Sequence, residues 1–509
     1  MLETRSTSYL RTLAIALAAP FAILVYLYAN LFVLPATPIL LGGDQVYFWM
    51  DAQRMMFGEV PYRDFFQFTP PGTDFLYLGL FSAFGPCIWV TNALVFVLGM
   101  ALCWVCFSVS RQIMSRTTAL LCTFLFLTLI YGKLLNATHH WFSVLLILLA
   151  VRVGMQRSTP PRLAAMGALL GVGAFLTHTH AVAALIGCAV LLGWQQWREA
   201  KPARDFAGRL LILGSVFALA WLLCELPLIF KVGLKELWYY QVTFVLHYMV
   251  HQPEGGFLGW PEELRLGRSR ELLPYFVVYA LVFVTYPWSL WKCRKGRNDE
   301  DRQVWDRVAM LSLVGSALGA EVMFNLNWLR LFVVSMPAII LACFWLERAQ
   351  GRQWSYLEKL AWGAVIVLAC AHTYSRQLRP HIVTDLPGGH VAVSPATYEK
   401  LDWLRRSTQP GEYLFEALVP SSYLPLGVRS PVFAEGMSRR PQTRPEFVER
   451  AIRELEGKPA HYVLWSRYLD QLQESEAKVD PIGPFLIYLH DHYRRAWTFS
   501  DGDEVWERK

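Results

Sequence analysis

The chain has 509 residues, 54% hydrophobic and only 17% charged, where a soluble protein of this size carries about 25% charged residues. The deficit lies in long apolar runs, which excludes an ordinary soluble domain and marks a membrane protein. The net charge of +7 does not imply a nucleic-acid partner, because the basic residues sit in short loops between those runs.

A bilayer crossing takes roughly 20 apolar residues. That window predicts helices near 13–34, 88–110, 117–133, 141–156, 163–179, 181–197, 209–230, 272–291, 305–324, 327–346 and 359–377. The first is too long, and lacks the small-residue cleavage site, for a removable signal peptide, so it is expected to stay as an anchor. The apolar stretch Thr73–Gly85 is too short to span and reads as a helix lying in the interface.

Orientation follows from Lys and Arg in short loops. Arg111 and Arg116; Arg152, Arg157 and Arg162; Arg198, Lys201, Arg204 and Arg209; Lys292, Arg294, Lys295, Arg297 and Arg302; and Arg348, Arg352 and Lys359 fall on one side. The opposite connections, 132–140 and 178–181, are nearly free of them, while the long 231–271 loop carries both signs. The expectation is an inner-membrane, multi-pass protein with eleven spans and a cytoplasmic N-terminus. The 35–87 loop, the 231–271 loop and the tail are expected outside.

Residues 1–378 are thus expected to form the transmembrane domain, and 379–509 a small extracytoplasmic α/β domain. In the tail, Ser394-Pro395 is an N-cap followed by Pro at the first helical position. Thr443-x-x-Glu446 has capping-box spacing. Glu412–Leu418 and His461–Trp465 read as strands, and Asp501-Gly502 can turn Ala496–Ser500 back onto Glu504–Glu507 as a hairpin. Nine cysteines give no disulfide framework. Cys103-x-x-Cys106 has metal-like spacing but lies inside a predicted span, where packing is the simpler reading.

Chemistry is expected in the first outer loop. Gly43-Asp44-Gln45-Val46-Tyr47, Gly58-Glu59-Val60-Pro61-Tyr62-Arg63-Asp64 and Pro70-Pro71-Gly72 are too rich in Gly, Pro and aromatics for plain linker. Lys133, His178, His180, Glu225, Glu321 and Arg330 all fall near the outer ends of their helices. A transporter would place ionisable groups near the midplane, whereas work on lipid headgroups places them at the ends.

This order of anchor, Gly-Asp loop, interfacial helix and Gly-x-x-Pro-Tyr-x-Asp before Pro-Pro-Gly resembles the integral-membrane glycosyltransferases of the C superfamily. The likeness is to the bacterial branch related to the aminoarabinose and protein-mannosyl transferases. Asn327-Trp328-Leu329-Arg330 and the tail are similar too. The resemblance implies a sugar donor on a polyprenyl phosphate and an acceptor, glycan, lipid or protein, bound outside the membrane. Asp44 matches the family's first-loop Asp.

A hydroxyl acceptor needs a base, and a carboxylate within reach supplies one; Asp44 is that candidate. The leaving phosphate needs cations rather than a strong acid. Arg330 offers a fork for phosphate, with His178, His180 and Lys133 as further donor-site candidates. Asp64 is a candidate to orient the acceptor or hold a divalent metal, and Tyr47, Tyr62, Glu225 and Glu321 complete the set. Simpler roles compete. Asp44 can cap a helix over 45–57, Asp64 can pair with Arg63, and Arg330 can snorkel. Glu225 and Glu321 can bridge helices, His139-His140 is more simply packed than metal-bound, and Asp51 is expected on a solvated helix face. Trp238-Tyr239-Tyr240 and Phe244–Tyr248 suit an isoprenoid groove or an ordinary interfacial belt. The reading is an all-α polytopic glycosyltransferase acting with inversion; a lipid-linked glycan polymerase or ligase, and a transporter or flippase, are its rivals.

Overall fold

The computed structural model describes residues 2–156, 158–199, 202–249, 269–295, 302–323, 328–349, 352–439, 442–471 and 480–509. Asn327, Arg157, Lys201, Arg297 and residues 250–268 of the 231–271 loop, with Glu254, Glu262, Glu263, Arg265 and Arg268, lie outside the described residues.

The protein is predominantly helical, and each of the expected apolar segments is a helix. In chain order these begin with α1 (Leu2–Leu31), α2 (Gln45–Met56), α3 (Gly72–Phe84), α4 (Ile88–Ser110) and α5 (Arg116–Leu125). They continue with α6 (His139–Gly154), α7 (Pro160–Ala174), α8 (His178–Glu199), α9 (Ala203–Val232) and α10 (Leu234–Trp238). Helices over Ser269–Lys295, Arg302–Val322, Trp328–Val334, Met336–Arg348 and Arg352–Leu378 follow. Four helical stretches among the described residues are long and apolar enough to cross a membrane: Ile88–Ser110, His178–Glu199, Ala203–Val232 and Phe276–Arg294. The expected span over 327–346 is broken, with Ser335 between Trp328–Val334 and Met336–Arg348. The Ser335 hydroxyl donates to Phe332 O (2.6 Å) at the break, and Pro337, lacking an N–H, is tolerated only in the first turn of the new helix.

Buried side chains pin the helix ends. Asn92 in α4 donates to Leu31 O (2.8 Å) and Ile39 O (3.0 Å), fixing the start of the first loop. Gln377 donates to Ala29 O (2.6 Å) and Phe32 O (2.7 Å) on the same segment. Gly72 begins α3 so close to Phe175 that its N–H donates to Phe175 O (3.0 Å) and a Cβ would lie 2.5 Å from that oxygen. The Pro-Pro-Gly motif is therefore a packing requirement as well as a turn.

Two short strands, β1 (Phe32–Val33) and β2 (Thr37–Pro38), open the loop. Beyond the last helix come the hairpin β3 (Ile382–Leu386) and β4 (Gly389–Val393), then β5 (Leu414–Glu416), β6 (Tyr462–Trp465), β7 (Tyr493–Thr498) and β8 (Glu504–Arg508). The last four form one sheet in the order β5-β6-β8-β7, with β5 parallel to β6 and the remainder antiparallel. The expected 496–507 hairpin is present, with Gly502 at φ 90° in its turn. Ser394 caps Pro395–Ser407 as expected, accepting from Thr397 N. The capping box at Thr443 does not form. The helix starts one residue later, at Pro445, so Thr443 Oγ1 accepts from Ser438 N (2.9 Å) and Glu446 pairs with Arg444 (3.2 Å).

The C-terminal region has a core of its own around Phe415, Val448, Leu455, Val463, Trp465 and Phe485. Its β3–β4 hairpin instead joins the helical core. Leu40 N donates to Ala392 O (2.9 Å) and Ile88 N to Gly388 O (2.9 Å), so backbone bonds stitch the tail to the first loop.

Candidate active site

Gly43 (φ 80°) turns the chain into α2, a conformation that an L side chain rarely adopts. Asp44 occupies the cap position, yet its side chain makes no capping hydrogen bond. The carboxylate is left for another use. Next to it, Gln45 donates to Gly42 O (3.1 Å) and accepts from Ala137 N (3.1 Å), while the Phe48 ring meets His139 edge-on at 5.4 Å. These contacts dock the start of α2 on the entry to α6. Asp44 is exposed to water but so ringed by protein that desolvation raises its pKa, and the Arg330 guanidinium opposes that rise. A group that water reaches and protein surrounds lines a cleft.

Behind Asp44 stands a histidine stack. The His139 and His140 rings are 3.9 Å apart, and His140 and His180 5.0 Å. His180 Nε2 lies 3.3 Å from Glu321 Oε2, without the alignment of a hydrogen bond, and its Nδ1 is 3.1 Å from Ser143 Oγ. The Nδ1 atoms of His139, His140 and His178 are buried without partners. Arg330 acts electrostatically on His139, His140 and His180 as well as on Asp44. Fold packing thus brings Asp44, His178, His180, Glu321 and Arg330 to one place from four separate elements. Among the described residues no group of three or more His, Cys, Asp or Glu is spaced to hold a metal ion.

The remaining candidates have other partners; of them, Tyr47 is in contact with Asp44, whose backbone oxygen accepts from Tyr47 N (3.3 Å). Asp64 pairs with Arg63 (2.7 Å) at the surface and accepts from Val60 N (2.8 Å), and the Arg63 hydrogen bonds hold its pKa below the usual range. The pairing weighed from the sequence is the one observed. Lys133 lies near His372 of Arg352–Leu378. Glu225 accepts from Gln241 (3.3 Å), which also donates to the Tyr62 hydroxyl (3.0 Å), which in turn donates to Thr69 O (2.6 Å). Tyr62 has φ 68°, uncommon for a bulky residue; that backbone turns its hydroxyl into this buried chain. Tyr47 donates to Leu418 O (3.2 Å) in the C-terminal region. Tyr239, Tyr240, Phe244 and Tyr248 pack with Phe66, Phe433 and Phe447 where the loop meets the tail.

Asp51 is a correction. Placed on a solvated face by its spacing, it is wholly buried, because the face of α2 that it occupies is covered by α3 and the C-terminal strap. Gln67 Nε2 donates to both Asp51 (3.2 Å) and Asp74 (3.1 Å), and a side-chain hydrogen bond joins Asp51 to Glu435. Desolvation pushes Asp51 up to about 8 and raises Asp74 and Glu435 further. Sequence reading missed Asp74, Gln67 and Glu435. Asp74's place in the first turn after Pro-Pro-Gly was a usable signal, but Glu435 arrives from more than 350 residues away and left none.

No protein-family profile matches the chain, and no curated protein does. Solved structures do. ArnT from Cupriavidus metallidurans, bound to undecaprenyl phosphate, superposes with a TM-score of 0.61 at 14% identity, over 96% of this chain and 97% of its own. The archaeal oligosaccharyltransferase AglB from Archaeoglobus fulgidus, in complex with an inhibitory peptide and a dolichol-phosphate, gives 0.54 at 11%, over 88% and 69%. The same organism's oligosaccharyltransferase tethered to an acceptor peptide gives 0.55 at 11%, over 97% and 74%. The fold is shared. The likeness expected from the loop motifs holds at that level, through nearly the whole chain and including the tail.

Proposed function

We propose that this protein is a membrane glycosyltransferase that moves a sugar from a polyprenyl-phosphate carrier to an acceptor at the outer face of the inner membrane, with inversion and with Asp44 as base. The observation that carries the reading is the uncapped, water-exposed Asp44 carboxylate within electrostatic reach of Arg330. The shared fold with ArnT and the oligosaccharyltransferase supports the donor class. The acceptor hydroxyl gives its proton to Asp44 as its oxygen bonds to the anomeric carbon from the side opposite the phosphate. The anomeric C–O bond to phosphate breaks with its electron pair going to the phosphate oxygen, through an oxocarbenium-like state. Negative charge then grows beside Arg330, whose fork suits two phosphate oxygens.

Eleven spans, a cytoplasmic N-terminus and an extracytoplasmic domain over 379–509 belong to the same proposal. Reporter fusions after Ser158, Arg198 and Gly296 should report inside, and a fusion after Lys509 outside; an inside signal from the last would remove the site from the outer leaflet. Binding of undecaprenyl phosphate to the purified protein in detergent tests the donor site. Arg330→Ala should weaken it and Arg330→Lys should restore part, because an ammonium is a point charge where guanidinium is a fork. Equal affinity in wild type and Arg330→Ala would leave Arg330 a membrane-interface anchor and overturn the donor assignment.

A further inference from the structure

We propose that Glu435, brought by the C-terminal region, is a positioning residue that shares a proton with Asp51 and so clamps the tail onto α2, the helix that opens at Asp44. The clamp's part in catalysis rests on the glycosyltransferase reading; its existence does not.

The geometry is an interface closed over acid. Asp51 and Asp74 are both 0% exposed, and Gln67 spends its single amide nitrogen on the two of them. Asp51 Oδ1, Asp74 Oδ1 and Glu435 Oε1 are buried with no conventional donor. Two carboxyl groups in hydrogen-bond contact cannot both ionise in such a place, and one must hold the proton. The guanidinium of Arg54, the cation that acts on the pair, donates instead to Glu59 (2.6 Å), Val432 O (2.7 Å) and Asp64 O (3.1 Å).

The same strap makes the clamp an interface rather than a local bond. Besides the Arg54 bond to Val432, Phe66 N donates to Phe433 O (2.7 Å), and Glu59 joins Arg54 to Arg429 (3.4 Å). Val432, Phe433 and Glu435 therefore lie along α2 and its exit, and Asp51 sits seven residues, about 10 Å of helix rise, behind Asp44. A shift of α2 at Asp51 moves the base. The charged and titratable groups facing the pair are Tyr47, Arg54 and Glu59 from α2 and its exit, Tyr62 from the turn that follows, and Asp74 from α3. Arg54 favours ionisation, while Glu59 and Asp74 oppose it.

The sign follows. Folded-state pKa values above the ordinary carboxylate range mean that the folded protein holds protons which the unfolded chain releases. The clamp's contribution is complete below about pH 4 and is lost as pH rises toward about 8 for Asp51.

Melting of the full-length protein in detergent from pH 5 to pH 9, with Glu435→Gln, Asp51→Asn and Glu435→Ala, tests this. An amide supplies a permanent donor in place of the shared proton. Glu435→Gln and Asp51→Asn should therefore lose less than half as much melting temperature across the range as wild type does, and Glu435→Ala should melt lower at every pH. Turnover should decline on the alkaline side in wild type and hold in Glu435→Gln, with Glu435→Ala not rescued. A wild-type pH slope in folded Glu435→Gln and Asp51→Asn overturns the clamp. Loss of the glycosyltransferase reading would leave the melting result standing.

Discussion

The two ends of the helical bundle treat buried polar groups in opposite ways. At the end away from the first loop, Arg307 donates to Met155 O (3.1 Å) and Gln112 O (2.6 Å), Arg111 to Met114 O (2.7 Å), and Arg198 pairs with Asp306. These groups tie loops down, and among the described residues few polar atoms there are left over, the Arg198 Nε donor and the Gln196 Oε1 acceptor among them. At the loop end, Asp51, Asp74, Glu435, Glu321 and four histidines keep buried atoms without partners. Evolution satisfies polar groups that only hold structure, since each orphan costs roughly 1–3 kcal/mol.

The largest test of that contrast is Asp44. Asp44→Asn should lower turnover by at least about 10²–10⁴-fold with no change in melting temperature, because no capping bond is present to lose. Asp44→Ala should melt like wild type for the same reason, and a fall of even the roughly 0.5–2 kcal/mol expected of a lost cap would restore the structural role. The acid limb of the pH–rate profile sharpens it further. Burial raises the Asp44 pKa and Arg330 lowers it, so kcat/KM should rise with pH above the ordinary carboxylate range. Arg330→Ala should displace that limb to higher pH, and an unmoved limb would separate the two residues.

Gly72→Ala probes the packing between the regions. Its Cβ would sit 2.5 Å from Phe175 O, backbone that cannot swing away, so stability should drop by about 1–3 kcal/mol as read by thermal unfolding. At the opposite end, Arg307→Ala leaves two carbonyls without their donor and should destabilise by a similar roughly 1–3 kcal/mol while turnover of the folded protein stays at wild-type level. The smallest effect belongs to Asp64→Asn. Its partner Arg63 is half-exposed, so the pair should be worth only about 0.2–1 kcal/mol. Its pKa is lowered by Arg63, so even that contribution is present above the ordinary carboxylate pKa and disappears on acidification.

Much of this protein is legible in its sequence because local physics writes it there. Apolar runs near the length of a bilayer set the helices, and Ser394-Pro395 and Asp501-Gly502 set a helix start and a hairpin. The interfacial helix predicted at Thr73–Gly85 is found at Gly72–Phe84. Asp44 could be singled out because its loop follows the first span and is too rich in Gly, Pro and aromatics for plain linker. What failed were arguments in which sequence spacing stood in for surroundings. Asp51 has the spacing of a surface residue, and Thr443-x-x-Glu446 the spacing of a cap. Burial of the first depends on Gln67, Asp74 and Glu435 arriving from three other segments, and the second is overridden by Pro445 starting the helix.

Sequence alone therefore determined the membrane class and the order of elements, since each follows from hydrophobic period and backbone preference within a few turns. Tertiary structure alone decided that His178, His180, Glu321 and Arg330 gather near Asp44 while Asp64 pairs with Arg63 at the surface. It alone decided that the tail closes an acid pair over α2. Electrostatics and burial act through space across hundreds of residues of chain, and no local pattern encodes a distance that only packing sets.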